Sequence, residues 1–66
     1  MIAERLKKEI SNSNITMYKL AKDLHISKQT VANWCSGANE PQASQIVALC
    51  KYFDISADYL LGLTEM

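Results

Sequence analysis

The chain has little of what builds a metal centre or a disulfide framework. Its 66 residues include two cysteines, Cys35 and Cys50, and one histidine, His25. Two cysteines are too few for a disulfide framework, and with one distant histidine they do not supply the four ligands of a structural zinc site. We therefore expect both thiols to be free and at least half-buried, since cysteine packs as a small hydrophobic residue.

Long apolar runs, glycine and proline are scarce as well. No stretch approaches the roughly 18 apolar residues that can span a bilayer, and the first ten residues, MIAERLKKEI, lack the apolar core of a signal peptide. These absences predict a cytoplasmic protein with no membrane partner. With 48% apolar residues, two glycines and one proline, the composition is typical of a single compact helical domain over residues 1–66.

Apolar spacing predicts helices and no strand. A first helix over about residues 2–11 carries Ile2, Leu6 and Ile10 on one face, and its charged residues are expected to be mostly solvated. Two further helices are predicted over about 42–53 and 57–61, the second closed by Gly62.

The segment 17–36 predicts two short helices that cross steeply. Its inward positions are Leu20, Ala21, Leu24, Ile26, Val31 and Trp34. Such a crossing leaves little room for a side chain at Ala21, and this arrangement is a helix-turn-helix. Three of the predicted helices also start alike, with an isoleucine before a hydroxyl residue that can cap the helix: Ile15-Thr16, Ile26-Ser27 and Ile55-Ser56.

These residues resemble the helix-turn-helix of the phage repressor and Cro-type DNA-binding domains, the XRE family. The pattern Leu20-Ala21, Leu24-x-Ile26, Val31-x-x-Trp34 and Gly37 matches without a gap, and the run IVALCKYFDISADYLLGLT is similar to the fourth and fifth helices of such domains. The resemblance covers essentially the whole chain. It implies an all-α, five-helix domain that acts as a transcriptional repressor on double-stranded operator DNA, as a homodimer, without a cofactor or small-molecule substrate.

The formal net charge of zero argues at first against DNA, because phosphate neutralisation dominates affinity. The charge is unevenly distributed, however. Residues 1–12 carry Arg5, Lys7 and Lys8 against Glu4 and Glu9, and residues 13–39 carry Lys19, Lys22 and Lys28 against Asp23. Residues 40–66 carry Lys51 against Glu40, Asp54, Asp58 and Glu65. The half that contains 17–36 is thus positive, as expected if one face meets DNA.

The outer face of the third helix predicts a base-reading surface. If Val31 and Trp34 point inward, the opposite face presents Lys28, Gln29, Ala32, Asn33 and Ser36. Amides can pair with adenine, Lys with guanine or a phosphate, and Ala with a thymine methyl group, so we assign base reading to the first four. The alternative is a polar surface that only keeps the helix soluble, and the resemblance favours the first interpretation.

The resemblance also implies contacts to the phosphate backbone from the helix starts and the loop after the third helix. Carried over by position, these are Thr16, Met17, Ser27, Lys28, Ser36, Ala38 and Asn39. Met17 departs from the polar residue common there, and the loop lacks Lys and Arg. Lys19 and Lys22 are candidates to compensate, unless they are ordinary solvated charges.

His25 stands where the family usually has glycine, and a left-handed backbone there would cost roughly 1 kcal/mol. The C-terminal end is more apolar than so small a domain needs, so it is either core closure or a self-association surface. The candidate dimer-interface residues are Ile55, Tyr59, Leu60 and Leu63.

The sequence is less well explained by two other function classes. A protein-interaction module of the antitoxin or antirepressor type would suit the neutral net charge and the uncharged loop at Ala38-Asn39. An enzyme is the least favoured class, because paired carboxylates, a nucleophile with its base and a phosphate-binding loop are not found in the sequence.

Overall fold

A computed structural model describes residues 1–64, which form five helices and no strand. The helices are α1 (Ile2–Asn12), α2 (Met17–Leu24), α3 (Lys28–Ser36), α4 (Ala43–Phe53) and α5 (Ala57–Leu60). The all-α, five-helix prediction is confirmed. Helix α4 begins one residue later than predicted because Gln42 is its N-cap, with its N–H donated to Gln45 Oε1 at 2.7 Å. None of the helices in residues 1–64 has the length and apolar character needed to cross a membrane.

Every helix contributes one fully buried side chain to a single core. These residues are Leu6, Leu20, Val31, Leu49 and Leu60, each with no exposed surface. Ile10, Ala21, Trp34 and Cys35 complete the buried cluster. Ala21 lies in it with 2% of its surface exposed, so α2 has no room for a larger side chain at this position.

One three-residue connector occurs three times between the helices. Its copies are Asn14-Ile15-Thr16, His25-Ile26-Ser27 and Asp54-Ile55-Ser56. The first residue has a left-handed backbone, with φ of 59°, 59° and 55° respectively. The isoleucine N–H then donates to a carbonyl of the preceding helix, as Ile26 N does to Ala21 O at 3.0 Å, which is the Schellman closure of a helix end. We call each copy an isoleucine connector.

The third residue of each isoleucine connector caps the next helix. Thr16 Oγ1 accepts from Lys19 N at 3.0 Å, Ser27 Oγ from Thr30 N at 3.1 Å, and Ser56 Oγ from Tyr59 N at 3.0 Å. The predicted hydroxyl caps are thus confirmed. The isoleucines are half-buried against the core, so one side chain helps both to end a helix and to anchor the start of the next.

Arg5 joins α1 to the C-terminal end of the described chain. Its Nη1 donates to the carbonyl oxygen of Tyr59 at 2.7 Å and also to that of Thr64, and its guanidinium lies 4.7 Å from the centre of the Tyr59 ring. The expectation of a mostly solvated charge is wrong for Arg5, which is half-buried. Its planar fork can hold two carbonyls while it stacks on an aromatic ring.

Candidate nucleic-acid interface

Helix α3 separates an inner and an outer face as predicted. Val31, Trp34 and Cys35 are buried, whereas Lys28, Gln29 and Ser36 are exposed. Ala32 and Asn33 are half-buried at the edge of the outer face. The four residues assigned to base reading therefore lie along one side of α3, where a polar stripe can face a groove.

Two of these four side chains are hydrogen-bonded to each other. Gln29 Nε2 donates to Asn33 Oδ1 at 2.9 Å, across one turn of α3. The backbone carbonyl of Asn33 also accepts from Ser36 Oγ at 3.2 Å and from Asn39 N at 3.3 Å. Asn33 is therefore held on both its side chain and its main chain.

The starts of α2 and α3 offer donors to an anion. The first-turn N–H groups of a helix lack intrahelical partners and carry partial positive charge. At α2 these belong to Met17 and Tyr18, beside the hydroxyl of Thr16, and at α3 to Lys28 and Gln29, beside the hydroxyl of Ser27. Ser27 Oγ also lies 2.8 Å from Thr30 Oγ1. Both helix starts can therefore present an N–H group and a hydroxyl to a phosphate.

The side chain of Met17 faces the core, although a phosphate contact was predicted for this residue. It packs half-buried against the core cluster. A thioether has no N–H or O–H to donate, so only the backbone N–H of Met17 can meet a phosphate. The departure from a polar residue at this position thus reflects packing under α2.

The loop after α3 uses its own donors internally. Gly37 closes the helix with φ of 84°, Ala38 N donates to Ser36 Oγ at 3.3 Å, and Asn39 N donates to Asn33 O. The Ser36 hydroxyl proton is itself donated to Asn33 O. A phosphate contact from Ser36 or the Ala38 N–H would require one of these bonds to break, whereas the side chain of Asn39 stays exposed.

Lys19 belongs to a network that links α2 to α4. Its Nζ lies 3.0 and 2.9 Å from the two carboxylate oxygens of Asp23, and the Tyr52 hydroxyl donates to Asp23 Oδ2 at 2.6 Å. The Tyr52 hydrogen bond, followed by that from Lys19, lowers the pKa of Asp23. The hydrogen bond to Asp23 raises the pKa of both Lys19 and Tyr52.

Sequence reasoning missed the partners in this network. The spacing of four between Lys19 and Asp23 on one helix was a usable signal for the ion pair. Nothing comparable points to Tyr52, which lies 29 residues from Asp23 along the chain. Tyr18 is 63% exposed in the first turn of α2, and its backbone N–H is one of those that can meet a phosphate.

The C-terminal end requires a correction. Tyr59 and Leu60 were candidates for a dimer interface, but they are 9% and 0% exposed within one copy, and Ile55 packs half-buried against the core. The core therefore buries more of these apolar residues than the short length of α5 suggested. Among the described residues of this end, Leu63, at 74% exposed, and Leu61, at 36%, are the large apolar side chains left at the surface.

In the described part of the chain, the cysteines and acidic residues do not cluster as a metal site. Within residues 1–64, no group of three or more His, Cys, Asp or Glu side chains is placed to hold a metal ion. Cys35 is buried and Cys50 half-buried, both as free thiols, and burial raises the pKa of each. Neither thiol is thereby favoured as a thiolate.

The amino-acid sequence matches a known family and several known proteins. A family model described as helix-turn-helix matches residues 2–60. The uncharacterized HTH-type transcriptional regulator YobD of Bacillus subtilis is 31% identical over 98% of this chain and 58% of its own length. The HTH-type transcriptional activator BcrR of Enterococcus faecalis is 29% identical over 96% of the chain and 31% of its own length.

A third relative, the HTH-type transcriptional regulator ImmR of Bacillus subtilis, is 26% identical over 98% of this chain and 51% of its own length. The chain thus spans from about a third to less than two thirds of the curated relatives it matches. No solved structure matches it at the significance of these relatives.

Proposed function

The chain belongs to the helix-turn-helix family of DNA-binding transcriptional regulators, and on that premise we propose that it binds an operator with α3 in the major groove. The family resemblance of residues 17–36 is confirmed by this membership. The single observation that carries the proposal is the outer face of α3. There two amides, an exposed lysine and a small apolar residue lie together, while the opposite face is buried.

Base reading is proposed for Lys28, Gln29, Ala32 and Asn33. Gln29 and Asn33 offer both donors and acceptors, Lys28 can reach guanine or a phosphate, and Ala32 can contact a thymine methyl group. None of the four is acidic, so this face meets the electronegative groove without charge repulsion.

The phosphate backbone would be held on both sides of the groove. We assign this role to the hydroxyls of Thr16 and Ser27, the N–H of Met17 and the side chains of Lys19 and Asn39. Helix N-termini favour phosphate whatever the side chain, which partly offsets the absence of lysine and arginine from the loop after α3.

We propose further that two copies bind one operator. A single copy has few cationic side chains near α2 and α3, so a symmetric pair would double its phosphate contacts. Leu61 and Leu63, which are exposed near the C-terminal end of the described chain, are candidates for a two-fold contact. The two α3 helices would then read half-sites about 34 Å apart, and occupancy of a promoter would repress transcription by steric exclusion.

Selection of bound duplexes from a random pool tests the proposal. A palindromic sequence should be enriched, and binding to random duplex should fall steeply as salt rises, because phosphate contacts release counterions. If no sequence is enriched and binding to random duplex does not respond to salt, the chain is better explained as a protein-interaction module of the antitoxin or antirepressor type.

A further inference from the structure

The hydrogen bond between Gln29 and Asn33 changes what each amide can offer to a base. An amide side chain has one carbonyl oxygen and two N–H donors. Gln29 donates one N–H to Asn33, so its Oε1 and its second N–H stay available to a base. Asn33 has its Oδ1 turned to Gln29, which leaves one lone pair on that oxygen and both N–H groups free.

These remaining atoms match different bases. Adenine presents an acceptor, N7, and a donor, N6–H, which pair with an N–H and a carbonyl oxygen on one amide, as Gln29 retains. Guanine presents two acceptors, N7 and O6, which suit a group that only donates. Gln29 takes one of the two lone pairs of Asn33 Oδ1 and turns that oxygen toward itself, so the orientation of the Asn33 amide favours donation from its N–H groups over pairing with adenine in two places.

We propose that Gln29 and Asn33 read DNA as one coupled unit, in which Gln29 selects adenine and also positions Asn33 to donate to guanine. This inference rests on the proposed function, because it requires α3 to lie in the major groove. Two further contacts support a fixed unit. Ser36 and Asn39 both donate to the backbone carbonyl of Asn33, so the residue that receives the Gln29 bond is itself anchored. Pre-ordered side chains lose less entropy when they bind.

The two single substitutions should each alter more than one base position. Gln29→Ala removes the partner of Asn33 Oδ1, so the guanine position should shift toward adenine as the freed amide pairs in two places. Asn33→Ala removes the acceptor that orients Gln29, so the adenine preference should weaken together with the guanine preference. The folded state of both variants is checked by circular dichroism.

Asn33→Asp separates orientation from base contact. A carboxylate still accepts from Gln29 Nε2 but has no N–H to give to guanine. Duplex selection with this variant should retain adenine at the position that Gln29→Ala disturbs and lose guanine at the other. The added negative charge will lower total affinity, so the relative preference among bases is the quantity compared.

A double-mutant cycle on the wild-type operator measures the coupling. The effects of Gln29→Ala and Asn33→Ala on the binding constant should depart from multiplicative behaviour by at least about threefold, as expected of directly bonded residues. Lys28→Ala is the matched control, since Lys28 lies on the same exposed face and should combine multiplicatively with Asn33→Ala.

The experiments distinguish failure of the coupled unit from failure of operator binding. If the wild-type chain enriches no sequence, both fall. If it enriches an operator but each single substitution changes one base position and the cycle is multiplicative, the coupled unit is overturned while operator binding stands. Retention of the adenine preference in Asn33→Ala would also overturn it.

Discussion

The Tyr52 hydroxyl donates a 2.6 Å hydrogen bond to Asp23 Oδ2 and so joins α4 to α2. Asp23 simultaneously holds the ammonium group of Lys19, one of the residues proposed to meet a phosphate. In the proposed complex the carboxylate would compete with a phosphate for that ammonium group, while its bond to Tyr52 secures the helix that carries Lys19.

Tyr52→Phe should lower the melting temperature at neutral pH, because it leaves the ring in place and removes the bond to Asp23. The lowered pKa of Asp23 means that its stabilising contribution is full above its unfolded value near about 4 and is lost as pH falls through the native value. The pKa values of Tyr52 and Lys19 are raised. The stabilising contributions of these two groups are therefore full below about pH 10 and are lost as pH rises through the native pKa values.

The difference in stability between wild type and Tyr52→Phe should therefore be constant between about pH 4 and 10 and shrink outside that window. Thermal unfolding across pH measures it. Tyr18→Phe is the matched control, since Tyr18 is exposed. A difference that persists unchanged at pH 2 would show that the Asp23 bond is not its source.

Arg5→Lys should destabilise the chain by about 1–2 kcal/mol, because a lysine keeps the charge but loses the planar fork that reaches two carbonyls and stacks on Tyr59. Urea unfolding gives the free energy. Lys7→Arg provides the reciprocal control on the same helix, where Lys7 is exposed. Equal stability of Arg5→Lys and wild type would mean that packing alone closes this end.

His25→Gly should stabilise the chain by about 1 kcal/mol, because glycine adopts a left-handed backbone without the steric penalty of a side chain. The backbone of His25 is left-handed, with φ of 59°, so the native residue carries that penalty. Lys22→Gly, in the body of α2, should instead destabilise by about 1 kcal/mol relative to an ordinary helix former. A fall in melting temperature for His25→Gly would show that the imidazole makes a compensating contribution.

Leu63→Asp should weaken self-association on operator DNA without unfolding the chain, because Leu63 is exposed and a charge there disfavours an apolar contact between copies. Sedimentation with and without operator duplex gives the stoichiometry. Val47→Asp, at another exposed apolar position on α4, should leave it unchanged. One copy per operator for the wild-type chain would remove the dimer from the proposal.

Sequence patterns predicted most of the fold because local rules decide it. The spacing of Leu20 and Leu24 within α2, and of Val31 and Trp34 within α3, follows the helical period. The hydroxyl caps at Thr16, Ser27 and Ser56 act within one turn. The outer face of α3 could be predicted for the same reason. Its opposite face is fixed by the buried Val31 and Trp34.

The remaining features depend on contacts between distant residues or on side-chain orientation. Arg5 meets Tyr59 from 54 positions away and Asp23 meets Tyr52 from 29, and no local period encodes either pair. Burial of Tyr59 and Leu60 depended on how much room α1 and α4 leave. The Gln29–Asn33 spacing was visible, but the direction of the bond was not, because either amide can donate.

The isoleucine connectors also bear on how quickly the chain can fold. Each lies in a connection of three or four residues between consecutive helices, so the entropy lost on closing each of these loops is small. Proteins whose contacts are mostly between near neighbours in sequence cross their folding barrier fast. A regulator built in this way would regain its DNA-binding surface soon after each transient unfolding, and it would expose its small core to aggregation or proteolysis only briefly.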